Sequence, residues 1–314
     1  MEITKKFEGR DFLSLKDYSC DEILYFLDVA DGLKSEQRDD GTMRYLPGRT
    51  LGMLFTKSST RTRVSFQTGI HQLGGTGLFL SGNDLQLGRG EPIKDTARVL
   101  SRYLDAIMIR TFAHSDVEEL AKYADIPVIN GLTDLLHPCQ VLADLQTIRE
   151  YKRELKGLKL AYIGDGNNMA HSLMYGCAKV GMDITLACPE GYDPNSQVMA
   201  EAQEIAGDMS SIVQLYRDPL AAAEGADVVY TDVWASMGQE GEAAERQKAF
   251  AGVYQVNNEL LKVTKDDSLV LHCLPAHRGE EITEEVIEGS HSVVFEEAEN
   301  RLHAQKAIMA LLIP

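Results

Sequence analysis

The chain has 314 residues, of which 44% are hydrophobic and 25% are charged, with 26 glycines and 9 prolines. These values are typical of a globular protein of about two domains, and every apolar run is shorter than the roughly 18 residues of a membrane-spanning helix. The net charge of −17 argues against a nucleic-acid partner, because binding to a phosphate backbone needs a broad basic surface.

Predicted strands and helices alternate along the whole chain. In the first half, strands are predicted at Thr50–Thr56, Gly77–Leu80, Asp105–Thr111 and Pro127–Gly131. In the second half, they are predicted at Leu158–Gly164, Ile184–Cys188, Ile212–Tyr216, Asp227–Thr231, Ser268–Leu274 and Ser292–Phe295. Amphipathic patterns between them predict helices at Val99–Leu104, Val117–Tyr123, Val141–Tyr151 and Ser172–Val180. This alternation indicates an α/β protein with doubly wound parallel sheets.

The charged stretch Glu150–Lys159 is the predicted boundary between two such domains, residues 1–150 and residues 151–295, joined by interdomain helices. The closing segment Glu296–Leu312 has the pattern of one long amphipathic helix. That pattern would let the helix pack on either domain, and we expect residues 296–314 to return to the first. Ligands of doubly wound sheets bind beyond the carboxyl ends of the strands, so site residues are expected directly after each strand.

A basic, hydroxyl-rich segment follows the first predicted strand. Lys57-Ser58-Ser59-Thr60-Arg61-Thr62-Arg63 comes directly after the apolar run Leu51–Phe55 and opens a helical pattern. Serine and threonine cap a helix start, and the backbone N–H groups there can bind an anion. A solvated helix start is the alternative, but arginines in a first turn oppose the helix dipole. The segment therefore predicts a phosphate site.

Two further strand ends carry polar side chains. The strand Asp105–Thr111 ends with Arg110, which by itself would more often be a solvated arginine. His137-Pro138-Cys139-Gln140 follows Val128–Asn130 and opens another helix. Because proline fixes an extended backbone before the helix, His137 and Gln140 are expected to project toward the same crevice. Taken alone, each motif is also compatible with a purely structural helix start.

The two motifs together resemble the carbamoyl phosphate signatures of the aspartate and ornithine carbamoyltransferase family. The resemblance extends from about Phe12 to Ala310 and includes Asp95-Thr96-Ala97-Arg98-Val99-Leu100. It implies that the phosphate is held by Ser59, Thr60, Arg61 and Thr62. It also implies that Arg110 and His137 polarise the carbonyl oxygen, while Gln140 holds the carbamoyl amide. Such enzymes are homotrimers with sites between subunits, so Gln86 is expected to reach a neighbouring subunit's site.

The second half contains one weak signal for another class of enzyme. Gly164-Asp165-Gly166-Asn167-Asn168-Met169 follows a strand and starts a helix, as a dinucleotide-binding turn does. An NAD-dependent oxidoreductase is therefore the alternative function. The third glycine of that fingerprint is Met169 here, which disfavours the alternative. No cofactor is expected.

Two strand ends in the second half resemble the ornithine-specific elements of the family. Asp232-Val-Trp-Ala-Ser236-Met237-Gly238 follows one strand, and His272-Cys273-Leu274-Pro275 follows another. The resemblance implies that the amino-acid end of ornithine is bound by Asn168, Asp232, Ser236 and Met237. Cys273 and Leu274 would line the reacting centre, and Arg301 in the closing helix would contact carbamoyl phosphate. In isolation these residues would be explained as core filler, a helix cap and a surface arginine.

The predicted reaction converts carbamoyl phosphate and L-ornithine to L-citrulline and phosphate, within arginine metabolism and amino-acid biosynthesis. The catalytic residues implied by the resemblance are Arg110, His137, Asp232 and Cys273. Attack by the amine is expected to be direct, without a covalent intermediate. Another acceptor such as putrescine is the alternative within the family, although the C-terminal extension of the putrescine enzymes is missing.

The cysteines and the first residues of the chain predict its compartment. Five dispersed cysteines without a Cys-x-x-Cys pair, and eight dispersed histidines, predict free thiols and no metal site. Met1–Arg10 has no signal-peptide core, so a cytoplasmic protein is expected. The predicted partners are the two small-molecule substrates and further copies of the chain, in a homotrimer or a multiple of trimers, with no nucleic acid and no membrane.

Overall fold

The computed structural model describes residues 3–38, 44–82, 84–85, 90–236 and 238–314. Two units emerge from its internal contacts: the first is Met1–Gln146 with Glu299–Pro314, and the second is Thr147–Ala298. Gln86 and Met237, both predicted as site residues, lie outside the described residues. Across the described helices, none combines the length and apolar composition needed to cross a lipid bilayer.

The first unit contains a four-stranded parallel sheet. Its strands are β1 (Thr50–Phe55), β2 (Thr76–Ser81), β3 (Ala106–Arg110) and β4 (Val128–Leu132), in the order β2-β1-β3-β4. Strands β1 and β3 are almost entirely buried, which explains their continuous apolar runs. Strand β2 forms one edge and is largely exposed.

Five helices, α1 to α5, begin in the first unit. They are α1 (Cys20–Arg38), α2 (Thr60–Gln72), α3 (Ile93–Leu100), α4 (His114–Tyr123) and α5 (Pro138–Lys152). Helix α1 was not among the predicted helices, although its start carries a capping box in which Ser19 and Glu22 bond each other's backbone N–H groups. The predicted helix Val99–Leu104 is wrong in position, because α3 starts at Ile93 and ends at Leu100.

The second unit contains a five-stranded parallel sheet. Its strands are β5 (Lys159–Ile163), β6 (Asp183–Ala187), β7 (Val213–Tyr216), β8 (Val228–Thr231) and β9 (Leu269–His272), in the order β7-β6-β5-β8-β9. The longer helices are α6 (Asn168–Val180), α7 (Ser196–Met209) and α9 (Ala243–Phe250). Shorter ones are α8 (Pro219–Ala223), α10 (Asn258–Leu261) and α11 (Glu284–Ile287). The two parallel sheets with their helices confirm the predicted fold class.

The closing helix α12 spans Val294–Leu312. The boundaries between the units, at 146/147 and 298/299, fall inside α5 and α12. The predicted strand Ser292–Phe295 is wrong. Ser292 makes a single bridge to Val270 beside β9, and the chain then turns directly into the helix. A short run of β-branched residues fits a strand or a helix start equally well, and here tertiary packing selects the helix.

Each sheet has one point where the direction of strand succession reverses. In the first unit the chain builds β1 and β2 on one side and then β3 and β4 on the other, so the reversal lies between β1 and β3. In the second unit it lies between β5 and β8. Crevices beyond the carboxyl ends of such strand pairs are the usual ligand sites of doubly wound sheets. The fold therefore directs attention to the residues that follow β1, β3, β5 and β8.

Candidate active site

The segment after β1 forms the start of helix α2. Ser59 is the N-cap, and its hydroxyl accepts a hydrogen bond from the Thr62 backbone N–H at 3.2 Å. The first turn has no acidic residue, so the positive end of the helix dipole is left for an anion. A cavity of about 480 Å³ opens beside this turn, lined by Phe55, Thr56, Lys57, Ser58, Ser59, Thr60, Arg63, Val64, Phe79 and Ser81.

Strand β3 delivers Arg110 to the same edge of the sheet. Its register against β1 pairs Arg110 with Phe55, the last residue of β1. The pairing with β4 shifts between Ile109 and Arg110, and such an irregularity re-aims the side chain that follows it. The side chain of Arg110 is buried, with an exposed fraction of 8%. The interpretation of Arg110 as a solvated arginine at the end of a strand is therefore wrong.

The segment after β4 places His137 and Gln140. Pro138 occupies the first position of α5, where a missing N–H costs nothing, so His137 stands just before the helix. Both side chains are buried. The Gln140 amide nitrogen donates to Asp144 Oδ1 at 2.8 Å, which fixes the amide with its carbonyl oxygen as the acceptor end.

Helix α12 contributes Arg301 to this corner. Its Nη2 donates to Thr62 Oγ1 at 2.9 Å, across a separation of 239 residues. The arginine is 4% exposed, so the interpretation as a surface arginine is wrong. A guanidinium buried against the first turn of α2 adds positive charge where that helix already favours an anion.

Electrostatics link four of these side chains. Burial, followed by the positive charges of Arg301, Arg110 and Arg61, holds the pKa of His137 well below its usual 6.5. His137 is therefore a neutral imidazole near neutral pH, placed close to three guanidinium groups. A neutral ring can donate one hydrogen bond while the arginines carry the charge. This combination is suited to holding a phosphate and polarising an adjacent carbonyl.

Cys139 lies between these residues in sequence, but it is structural. Its thiol is fully buried and donates to the Asn130 carbonyl at 3.3 Å. Burial raises the pKa of this thiol to about 12, so it stays protonated and cannot act as a nucleophile. As predicted, no disulfide joins any of the five cysteines, all of which lie in described parts of the chain.

In the second unit, the segments after β5 and β8 meet at Asp232. Asn167 caps α6, and its Oδ1 accepts from the backbone N–H groups of Met169 and Ala170 at 2.9 and 3.3 Å. The same amide uses Nδ2 to donate to Asp232 Oδ2 at 2.9 Å. Asn167 was not predicted as a site residue. Asn168 is the first residue of α6, directly beside it.

The other carboxylate oxygen of Asp232 is also held. It accepts from the Val233 backbone N–H at 2.8 Å and from the Cys273 thiol at 3.1 Å. Asp232 is 6% exposed. It is therefore a buried acceptor fixed on both oxygens, and it is not the cap of a helix. Ser236 follows four residues later, its backbone N–H donating to Gln239 Oε1 at 3.0 Å.

Strand β9 ends in a tightly bonded segment that carries Cys273. Leu274 N–H donates to His272 Nδ1 at 2.9 Å, so the proton of His272 lies on Nε2 and faces Glu281 Oε1 at 3.1 Å. The His272 backbone N–H donates to Glu297 Oε2 at 2.8 Å. Leu274 has a φ of +54°, an unfavourable backbone conformation for a branched side chain that is typical of functional sites.

The Gly164-to-Met169 turn does not have the space that a dinucleotide needs. A Cβ on Gly166 would lie 2.2 Å from Pro194 N and 2.3 Å from the Asp193 carbonyl carbon. The glycine thus allows close approach of the chain's own backbone, where the dinucleotide fingerprint uses it for a pyrophosphate. This packing argues against the oxidoreductase alternative.

One group of side chains that could hold a metal ion lies at the ends of β8 and β9. Ligand atoms of Asp232, His272 and Cys273 lie within 4.8 Å of one another. However, both ring nitrogens of His272 are already engaged by Leu274 N–H and Glu281. A metal ion would have to break one of these buried hydrogen bonds, so the cluster is better explained as a hydrogen-bond network.

The structure brings the predicted residues together in two groups. The first unit holds Ser59, Thr60, Arg61, Thr62, Arg110, His137, Gln140 and Arg301. The second unit holds Asn168, Asp232, Ser236, Cys273 and Leu274. Residues that the sequence did not point to are Asn167, Glu281 and Glu297, which fix their neighbours through long-range contacts without a motif of their own.

Comparison with known proteins identifies the family. Residues 10–150 match the carbamoyl-P binding domain, and residues 156–312 the Asp/Orn binding domain, of aspartate/ornithine carbamoyltransferase. An ornithine carbamoyltransferase of Oceanobacillus iheyensis is 62% identical over 98% of this chain and 96% of its own length. One of Thermococcus kodakarensis is 56% identical over 97% and 96%. The solved ornithine carbamoyltransferase of Pyrococcus furiosus is 55% identical over 98% of both chains, with a TM-score of 0.95. The chain belongs to the aspartate/ornithine carbamoyltransferase family.

Proposed function

We propose that the chain transfers the carbamoyl group of carbamoyl phosphate to the side-chain amine of L-ornithine, which yields L-citrulline and phosphate. The observation that carries the proposal is the set of guanidinium groups around a neutral His137, in which Arg110 and Arg301 are buried and Arg61 is partly buried. The names of the most similar relatives, all ornithine carbamoyltransferases, support the acceptor.

The phosphate binds at the start of α2. Ser59 and Thr60 supply hydroxyl groups, and the backbone N–H groups of the first turn point at the anion. Arg61 and Arg301 add charge-assisted hydrogen bonds. These contacts stabilise phosphate as it departs, when its negative charge increases. The proposed domain for this task is residues 1–150 together with the closing helix, residues 296–314.

The carbamoyl group lies next to the phosphate. Its carbonyl oxygen accepts hydrogen bonds from Arg110, His137 and the Thr62 hydroxyl, and these donors stabilise the oxyanion that forms on attack. Gln140 presents its amide oxygen to the carbamoyl NH₂ group. His137 serves here as a neutral imidazole that donates one hydrogen bond, since burial and then the surrounding arginines hold its pKa well below the usual value.

Ornithine binds in the proposed acceptor domain, residues 151–295. Asp232 holds the α-ammonium, because its buried carboxylate is already oriented by Asn167 and Val233. Asn168, Ser236 and Met237 bind the remaining amino-acid groups. Cys273 and Leu274 line the reacting centre and contact carbamoyl phosphate.

Transfer requires a neutral amine, although an ornithine side-chain amine has a pKa of roughly 10.4 in water. Desolvation beside Cys273 favours the neutral form. The amine nitrogen attacks the carbonyl carbon, the bond from carbon to the phosphate oxygen breaks, and the departing phosphate takes up the proton that the nitrogen loses. No covalent enzyme intermediate forms. The protonated thiol of Cys139 is in keeping with direct attack.

The proposal includes a homotrimer with sites between subunits. Its support in the described residues is the exposed edge strand β2, where Leu78 and Phe79 are 44% and 38% exposed. Val64 on the neighbouring helix α2 is 57% exposed. An apolar edge of this kind is usually covered by another chain. Gln86 is proposed to reach a neighbouring subunit's site.

The proposal is tested by assaying carbamoyl phosphate consumption with ornithine, putrescine, aspartate and N-acetylornithine in parallel. Fast turnover with ornithine alone is the expected result. Faster turnover with another amine would leave the proposed phosphate site at the start of α2 unaffected. It would refute the assignment of Asp232, Ser236 and Met237 to ornithine binding. Sedimentation of the same preparation tests the trimer.

A further inference from the structure

We propose that the turn after β9 binds a divalent transition-metal cation, of which Zn²⁺ suits the ligands best, on His277, Glu280 and Glu281. Ligand atoms of the three residues lie within 4.8 Å of one another. One imidazole and two carboxylates are donors that Zn²⁺ takes readily. None of the three is assigned to carbamoyl transfer, so this site is independent of the proposed function. It departs from the prediction of a metal-free protein.

Glu281 provides the first line of evidence. It is fully buried, and its Oε1 accepts from the His277 backbone N–H at 2.6 Å and faces His272 Nε2 at 3.1 Å. Its Oε2 is equally buried and has no hydrogen-bond partner among the described residues. Buried carboxylate oxygens nearly always have one. This oxygen faces the ring of His277, with 4.0 Å between Oε2 and Nδ1.

The spacing of the three donors fits a shared ion better than direct contacts. His277 Nδ1 lies 3.8 Å from Glu280 Oε2 and 4.0 Å from Glu281 Oε2, and both distances are too long for hydrogen bonds. Ligands of a tetrahedral Zn²⁺ are about 3.3 Å apart, so Nδ1 must approach each oxygen by about 0.5–0.7 Å. The half-exposed side chains of His277 and Glu280 can make this movement, and they leave a path for the ion and for a water ligand.

The backbone beneath the donors is fixed. Glu280 N–H donates to the His277 carbonyl at 2.9 Å, and Gly279 adopts a φ of +88°, which together close a tight turn. Gln255 Nε2 donates to the carbonyls of Gly279 and Glu280 at 2.9 and 2.8 Å. Only side-chain rotation is therefore needed to complete the site.

The charge around the turn favours a cation. Arg278, in the middle of the turn, is paired with Glu284 and Glu288, so its positive charge is compensated. The chain carries a net charge of −17, and a strongly acidic surface raises the local concentration of cations. Two carboxylate ligands would then neutralise the charge of the bound ion.

The test is calorimetric titration of Zn²⁺ into the full chain after treatment with a chelator. It is done in a Cys273→Ser background, because Cys273 belongs to the other cluster of possible ligands. One saturable Zn²⁺ ion per chain is expected. Loss of a residue that only hydrogen-bonds a metal ligand lowers metal affinity about 10–100-fold. Loss of a ligand itself, in His277→Ala or Glu280→Gln, should therefore weaken Zn²⁺ binding at least about tenfold. Both residues are half-exposed, so the variants are expected to fold.

Glu284→Gln is the matched control, since it removes a neighbouring exposed carboxylate that is not a ligand. It should weaken Zn²⁺ binding much less than Glu280→Gln does, since Glu288 still pairs with Arg278. Equal weakening by Glu284→Gln and Glu280→Gln would show only diffuse attraction and would overturn the site. Unchanged affinity in His277→Ala would overturn it as well. X-ray absorption of the Zn²⁺-loaded Cys273→Ser chain should show nitrogen and oxygen ligands that change in His277→Ala. A sulfur ligand, or a spectrum that His277→Ala leaves unchanged, would refute the assignment.

Discussion

Asn167 offers a test of how the carboxylate of Asp232 is positioned. Its amide performs two tasks that can be separated, because Oδ1 caps α6 and Nδ2 orients Asp232. Asn167→Ser keeps a side-chain oxygen for the cap and removes the donor to Asp232. Asn167→Ala removes both functions.

The expected magnitudes follow from these contacts. A hydrogen bond to a charged group contributes about 1.5–3 kcal/mol, which corresponds to about 10- to 100-fold in a rate or binding constant. If Asp232 binds the α-ammonium of ornithine, Asn167→Ser should lower kcat/KM for ornithine by that factor. The KM for carbamoyl phosphate should change little. Asn167→Ala should show the same kinetic loss and a further loss of about 1 kcal/mol in the free energy of unfolding, from the missing cap.

Asn167→Asp sharpens the comparison. Aspartate is an equally good cap, but it would place a second carboxylate beside Asp232 Oδ2, which now lies 2.9 Å from the Asn167 nitrogen. Like charges at this distance repel, so this variant should be slower than the serine variant. The measurements are steady-state kinetics with varied ornithine and urea denaturation. A serine variant with wild-type kcat/KM for ornithine, beside an impaired alanine variant, would show that Asn167 is only a helix cap.

Three further predictions concern other parts of the molecule. Arg110→Ala should lower kcat about 10²–10³-fold, because an oxyanion donor is lost; near-normal citrulline formation would refute its role. His137 has a folded-state pKa well below 6.5, so the unfolded chain binds a proton that the folded chain does not, and stability should fall as pH drops below about 6.5. His137→Gln should make the free energy of unfolding depend less on pH, by at most about 1.4 kcal/mol per pH unit. Urea denaturation between about pH 5 and about pH 7 measures this dependence, and an unchanged dependence would contradict the assignment. Gly166→Ala should destabilise the chain by about 1–3 kcal/mol, since its Cβ would lie 2.2 Å from Pro194 N; an unaltered thermal midpoint would disprove the close packing.

Much of the fold could be predicted because parallel strands buried on both faces leave a plain apolar signal. The nine strands found in the described residues coincide with predicted runs to within a few residues, as β3 (Ala106–Arg110) does with Asp105–Thr111. The strand order could not be predicted, since pattern alone does not say which strands are neighbours. The tenth predicted strand, Ser292–Phe295, is wrong because α12 already begins at Val294, and the packing of that helix is a tertiary effect.

The candidate site was found where its residues stand in a motif at a strand end. The rule that ligands bind beyond the carboxyl ends of strands directed attention to Ser59–Thr62 and His137–Gln140. Their assignment to carbamoyl phosphate depends on the family resemblance and stays a prediction. The burial of Arg301 could not be foreseen, since it depends on contact with Thr62 across 239 residues. Asn167 was not predicted as a site residue for the same reason. Its role depends on a hydrogen bond to Asp232, which lies 65 residues away in the sequence.

The bond between Arg301 and Thr62 also has a consequence for how the protein is made. The ribosome delivers Thr62 early and Arg301 almost last, since the chain has 314 residues. A nascent chain can form β1 and α2 long before the buried guanidinium arrives to complete the anion pocket. Fragments released before residue 301 lack this guanidinium and should therefore bind carbamoyl phosphate more weakly than the full chain does. The bond from Arg301 to Thr62 thus forms only after almost the whole chain has been synthesised.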